Sequence, residues 1–294
     1  MNKISIFIII PILLSACKES LPPVDFGKPG TILLSHTAAN ISTSDLPDPE
    51  YRGILIEDLT GVRCVACPGA AKAAKSVKDA QANNEVVILG LYTEGPLSLA
   101  TPHTGSEDMR TSSAQLIGTN IFDFSNQLPG GGVNRRIFDG EPDLNIPFAT
   151  WANQAKKFEN EESIVNISIE KGQKDDSTMI FNCTVIFTEE PSNPPFLTLL
   201  LLEDGIVAPQ TYEGGVDSSY VHSHVVRDNI TPYNGMPLKV TNGGDITKGS
   251  QVQVEWQVQI PSFINVSNAS LAAFVNYNSA ENKEVIQCTE IKLK

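Results

Sequence analysis

Cys64 and Cys67 are the residues of this chain best placed to do chemistry, three positions apart in Arg63-Cys64-Val65-Ala66-Cys67-Pro68. A Cys-x-x-Cys holds two thiols close enough to bridge, and it serves thiol exchange, a structural crosslink or a metal site. The surroundings favour exchange. Gly53–Leu59 is an apolar run rich in β-branched residues and predicts a buried strand that breaks at Thr60-Gly61. The cysteine pair then opens an Ala/Lys-rich helix, expected over Cys64–Ala82. The first N–H groups of a helix are unpaired and its dipole is positive there, so a thiol in that place is pushed toward the thiolate. Arg63 adds to the same effect. A structural disulfide closing the helix start is the competing reading. Zinc is disfavoured, because the remaining cysteines, Cys183 and Cys288, stand singly and far apart in sequence.

Two acids precede the pair. Strand alternation puts Ile54, Ile56 and Asp58 on one face and Leu55, Glu57 and Leu59 on the other, so only one of Glu57 and Asp58 faces the cysteines. A carboxyl buried there would have a raised pKa and serve as a base. His222-Ser223-His224 sets two imidazoles on one side of an extended segment, without a third ligand at a suitable spacing. No metal or cofactor is expected. Cys183 and Cys288 pair only if their strands are neighbours in space, which sequence leaves open.

The N-terminus reads as a targeting segment. Lys3 precedes the apolar run Ile4–Leu14, too short to span a bilayer, and Leu14-Ser15-Ala16-Cys17 follows. The last four residues resemble the lipobox of bacterial lipoproteins, which implies cleavage before Cys17 and lipidation of its thiol. With 34 acidic against 21 basic residues the surface is anionic, against binding of nucleic acid.

The elements that position these residues divide the chain. Residues 1–16 are expected as signal peptide and 17–50, rich in Pro, Ser and Asp, as a lipidated tether with one short strand at Thr31–Ser35. Residues 51–160 alternate strand and helix signals: strands Arg52–Leu59, Val86–Tyr92 and Val133–Phe138, helices Cys64–Ala82, Glu107–Ile117 (capped by Ser106) and Pro147–Glu159. Residues 163–294 carry strands alone, with period-2 alternation clearest in Gln251–Ile260. Their number and spacing predict an immunoglobulin-like sandwich that forms its own core and meets the first domain through a modest polar contact.

Strand, Cys-x-x-Cys, helix resembles the active-site layout of the thioredoxin fold. The expected fold class is therefore an α/β thioredoxin-like domain followed by an all-β immunoglobulin-like sandwich. The resemblance implies that Cys64 attacks and Cys67 resolves, that Pro129 is the cis-proline opposite the pair, and that Asp58 is the buried acid relaying a proton to Cys67. Val65-Ala66 between the cysteines, and the lack of Trp before Cys64, depart from true thioredoxins.

Lipobox, Leu55–Gly61 leading into Cys64-x-x-Cys67-Pro68, Pro129 ahead of Val133-Asn134-Arg135, and Tyr220–Arg227 together resemble the outer-membrane-protein-28-related lipoproteins of Gram-negative bacteria. That resemblance implies an outer-membrane lipoprotein anchored through Cys17, on the periplasmic face or the cell surface. Thiol–disulfide exchange on exported proteins or peptides is the expected function. A non-catalytic binding or adhesion lipoprotein, with the same core as scaffold, is the alternative.

Overall fold

The computed structural model describes residues 30–124, 127–240 and 243–294, with β-strands as the predominant regular element. The expected signal peptide and Cys17 lie outside the described residues. Strand β1 (Thr31–Asn40) is longer than expected and is no tether: it pairs antiparallel along its whole length with a distant strand. The expected first strand is β2 (Ile54–Thr60), buried at every position.

Helix α1 (Cys67–Ala80) starts three residues later than expected. Pro68 explains the start, since its fixed φ suits the first turn and its missing N–H has no helical partner there. Cys64 therefore sits in the preceding turn, where its N–H donates to the Gly61 carbonyl. Strand β3 (Val86–Tyr92) is fully buried and runs parallel to β2.

Helix α2 is only Ser112–Leu116, continued by a π turn over Ile117–Ile121. Its cap is Thr111, which accepts from the Ala114 N–H at 3.1 Å, rather than Ser106. Strand β4 is Gly130–Val133, three residues earlier than expected, and it stops where Val133–Phe138 should have continued, because Asn134 and Arg135 take φ of 48° and 47°. β4 is made of glycine because it packs backbone against backbone: a Cβ on Gly131 would stand 1.9 Å from the Glu57 carbonyl oxygen. The third helical stretch is a short α3 (Trp151–Ala155) between 3-10 turns at Phe148–Thr150 and Lys156–Phe158.

The remaining strands are β5 (Val165–Gln173), β6 (Thr178–Phe187), β7 (Pro195–Glu203), β8 (Ile206–Val207), β9 (Gln210–Tyr212), β10 (Gly215–Asp217), β11 (Val221–His222), β12 (Val225–Asn229), β13 (Met236–Pro237), β14 (Ser250–Gln259), β15 (Ala269–Tyr277) and β16 (Val285–Lys292). They form two large sheets and two small ribbons, β8–β11 and β9–β10, with no closed barrel among the described residues. One sheet has the order β1-β14-β6-β5. The other runs β16-β15-β7-β12-β3-β2-β4, with β13 added beside β7.

The second sheet crosses the boundary expected near residue 160. β12 pairs parallel with β3 at Val225 and Gly90 and antiparallel with β7, so strands from both halves share one ladder. Alternation along β7 explains why. Leu197, Leu199 and Leu201 face Phe181, Val254 and Trp256 of the first sheet, in a sandwich core. Leu200 and Leu202, on the opposite face, join Ala272, Phe274 and Val285 against Leu55, Leu59, Val87 and Leu89 of β2 and β3. That second face is apolar, so the contact between the halves is a core and not a modest polar interface. Gly53 lets β16 close over β2, since a Cβ there would meet the Cys288 carbonyl oxygen at 2.4 Å. The outer face of β2 and β3 (Ile54, Ile56, Val86, Ile88) packs under α1 and α3 through Ala70, Ala74, Val77 and Trp151.

Candidate functional site

Cys64 and Cys67 form a disulfide with Cα atoms 5.4 Å apart, closing the turn between β2 and α1. Both are buried, 3% and 2% exposed, whereas Val65 between them is 49% exposed. The Arg63 guanidinium does not serve the sulfurs: it donates to the Thr101 and Pro102 carbonyls, each at 2.8 Å, and pins the loop after β3. The Leu128–Pro129 bond is cis. β4 pairs antiparallel with β2, Gly130 opposite Leu59, which sets Pro129 beside the end of β2 that leads into Cys64.

The two acids part company as alternation requires. Glu57 makes a bidentate pair with Arg135, at 2.8 and 2.7 Å, with both side chains fully buried and the guanidinium over the Phe274 ring. Asp58 points to the opposite face, under α1, and is 3% exposed with no hydrogen-bond partner for its Oδ1. Burial without a compensating charge raises its pKa to about 8, so it carries a proton at neutral pH.

Asp58 and Cys67 line the same cleft, a cavity of ≈ 420 Å³ between α1 and the segment 206–224. That segment is a lid built from the two small ribbons. Its Thr211 N–H donates to the Val62 carbonyl at 2.8 Å, and the buried Gln210 amide donates to the carbonyls of Cys64 (2.9 Å) and Gly61 (3.3 Å). An apolar seam of Ile206, Ala208, Val62, Ala100 and Met109 seats it. Inside the lid, Tyr92 donates its hydroxyl proton to Nδ1 of His222 at 2.6 Å. The His222 Nε2–H donates to the Ala208 carbonyl at 3.1 Å, which assigns the neutral tautomer. Burial lowers the His222 pKa to about 4 and holds the Tyr92 phenol well above its usual value.

The two imidazoles of His222-Ser223-His224 do not converge. His224 has φ of 56° and lies 3.5 Å from Asp204, while His222 is taken up by Tyr92. No group of three candidate ligands forms among the described residues. Cys183 and Cys288 are free and buried in different cores, which raises both thiols, Cys183 to about 12. Arg227 is held by Glu203 at 3.1 Å and by Glu107. The sequence reading gives no role to Gln210 or Tyr92 and names Tyr220 only as the start of the Tyr220–Arg227 motif; the i, i+2 spacing of Tyr220 and His222 is the signal that puts both rings on one side of the lid.

The family description "Outer membrane protein Omp28" matches residues 120–294. No curated protein matches the chain in sequence. Among solved structures, the chain is similar to HBP35 of Porphyromonas gingivalis, with a TM-score of 0.64, 16% identity, and 83% of this chain and 76% of that one covered. That likeness is one of fold. A domain of the outer membrane lipoprotein Omp28 from Porphyromonas gingivalis also matches, with a TM-score of 0.29 and 14% identity over 44% of this chain and 88% of that one.

Proposed function

The chain belongs to the Omp28 family of outer membrane proteins, and from that premise we propose that it is a lipoprotein whose Cys64 and Cys67 carry out thiol–disulfide exchange on exported proteins. In this reading Cys17 bears the lipid, residues 51–160 are thioredoxin-like, and the facing sheets that follow are an immunoglobulin-like sandwich fused to that core. Parallel β2 and β3 around α1, antiparallel β4 beyond β2, and cis Pro129 at the start of β4 support the thioredoxin likeness.

Asp58 is the observation that carries the proposal. An unpaired buried carboxyl costs stability, and a purely structural disulfide has no use for one. In exchange, a substrate thiolate attacks Sγ of Cys64, the Cys64–Cys67 bond breaks, and Cys67 leaves as a thiolate that takes the Asp58 proton. A second substrate thiolate then attacks the mixed disulfide and expels Cys64. The substrate dithiol is oxidised and the cysteine pair reduced; the reverse sequence reduces a substrate disulfide. Cys67→Ala should trap exported partners as mixed disulfides on Cys64, and Cys64→Ala should trap none. Failure of the first variant to trap any partner would refute exchange.

A second reading rests on the burial of Cys64 beneath the lid. In it the disulfide only locks the turn and the protein is a binding module. A native disulfide that resists reduction until the chain unfolds would favour this reading. The anchor is separable from both: Cys17→Ser should release the protein from the membrane fraction or leave the precursor unprocessed.

A further inference from the structure

We infer that the cleft between α1 and the 206–224 lid is a binding site for a planar aromatic carboxylate, a function beyond exchange at the cysteines, with which it shares Asp58. Its shape comes from two unlike walls. On the lid side, aromatic rings run from rim to floor in successive edge contacts: Tyr212 to Tyr220 at 5.9 Å, Tyr220 to His222 at 4.6 Å, and His222 to Tyr92 at 5.7 Å. On the helix side, Pro68 and Ala71 present small, flat surfaces one turn apart. Aromatic faces opposite small residues leave a slot that suits a ring system, and ≈ 420 Å³ is the scale of a small-molecule pocket.

The polar groups give the slot a direction. At the floor, Asp58 offers a proton with no partner for its Oδ1, so an oxygen acceptor on the ligand would complete it. Burial lowers the pKa of His222 and of His224 and raises those of the Tyr92 and Tyr220 hydroxyls. The cations among the lining residues are Lys72 and Lys75, on the next turn of α1 at the rim, and Lys75 is shared with Asp79 at 2.6 Å. In a chain of net charge −13, a lysine rim beside an aromatic slot marks the end that takes an anion.

Isothermal titration of the full chain, disulfide intact, with 2-naphthoate and its neutral amide tests the assignment. The carboxylate should bind at least about 10-fold more tightly than the amide, the effect of one favourable charge contact. Lys72→Gln, on an exposed helix face, should erase that preference while leaving the amide unchanged. Ala71→Trp should fill the slot and abolish binding of both. Equal affinity for the two probes, binding that survives Ala71→Trp, or no binding of either would overturn the inference. Because the disulfide stays closed throughout, none of these outcomes depends on whether the cysteines exchange.

Discussion

Gln210 stands 146 positions from Cys64, yet its side-chain amide donates to the Cys64 carbonyl at 2.9 Å. The same nitrogen reaches the Gly61 carbonyl, so one buried side chain ties both ends of the turn that carries the first cysteine to the lid. Access to the disulfide is thus coupled to the seating of residues 206–224. That link joins a long-range packing event to the reactivity of a local motif.

Gln210→Ala should therefore loosen the lid and expose the disulfide. Both carbonyls keep a backbone donor, the Cys64 N–H on Gly61 and the Cys67 N–H on Cys64, so the loss is that of an ordinary hydrogen bond, about 0.5–1.5 kcal/mol. A fall in stability of that order is expected, together with faster reduction of Cys64–Cys67 by dithiothreitol under native conditions. An unchanged reduction rate in a destabilised variant would show that the lid does not control access.

Asp58 and His222 make opposite contributions to stability as pH changes. The folded chain holds the Asp58 proton up to about pH 8, whereas the unfolded chain releases it near pH 3.8, so stability falls as pH rises through that window. His222 is refused its proton until about pH 4 in the folded chain but accepts it near 6.5 when unfolded, so its effect makes stability rise with pH over that lower range. Comparing Asp58→Asn with the wild type cancels the His222 contribution. The variant's advantage in unfolding free energy, measured by chemical denaturation, should widen from about pH 5 to about pH 8, at up to about 1.4 kcal/mol per pH unit, and level off above. A difference that stays flat across this range would mean that Asp58 is already ionised in the folded protein.

The placement of the cysteine pair is legible in sequence because its signals are local. The apolar strand, the break at Thr60-Gly61, the cysteine spacing and Pro68 lie within one short stretch, and alternation separates Asp58 from Glu57. Nothing local announces that residues 206–224 close over the cysteine turn: Gln210-Thr211-Tyr212 is a short polar stretch whose partners are carbonyls far away in the chain. β4 escapes because strand signals depend on side chains, whereas Gly130-Gly131-Gly132 pairs through close backbone approach. β1 escapes for a related reason. Its partner β14 lies more than two hundred residues downstream, and only that pairing makes a strand of residues 31–40.

Among the described residues Glu57 and Arg135 form the most deeply buried ion pair, and Arg135 also stacks on Phe274. Removing one partner leaves a desolvated charge, so Glu57→Ala or Arg135→Met should destabilise by about 3–5 kcal/mol. The double change Glu57→Leu with Arg135→Met replaces the pair with apolar volume and should recover most of that loss. Chemical denaturation of the three variants measures the coupling; additive losses in the double variant would show that the two charges do not depend on each other.

The shared sheet makes the strongest claim about architecture. Leu200, Leu202, Ala272, Phe274 and Val285 are buried against β2 and β3, and β12 closes its ladder on β3. Arg52 extends the tie, with Glu284 at 2.6 Å and the Val285 carbonyl as partners of its guanidinium. A fragment of residues 163–294 would expose that apolar face to water, at about 25 cal/mol for each Å² uncovered. It would also lack β1, which covers the free edge of β14. Expressed alone, the fragment should therefore show no cooperative thermal transition and should bind hydrophobic dyes, while residues 30–294 should unfold in one step. A sharp independent transition in the fragment would mean that the sandwich core of Phe181, Trp256 and Leu199 suffices by itself and that the second face is a dispensable contact.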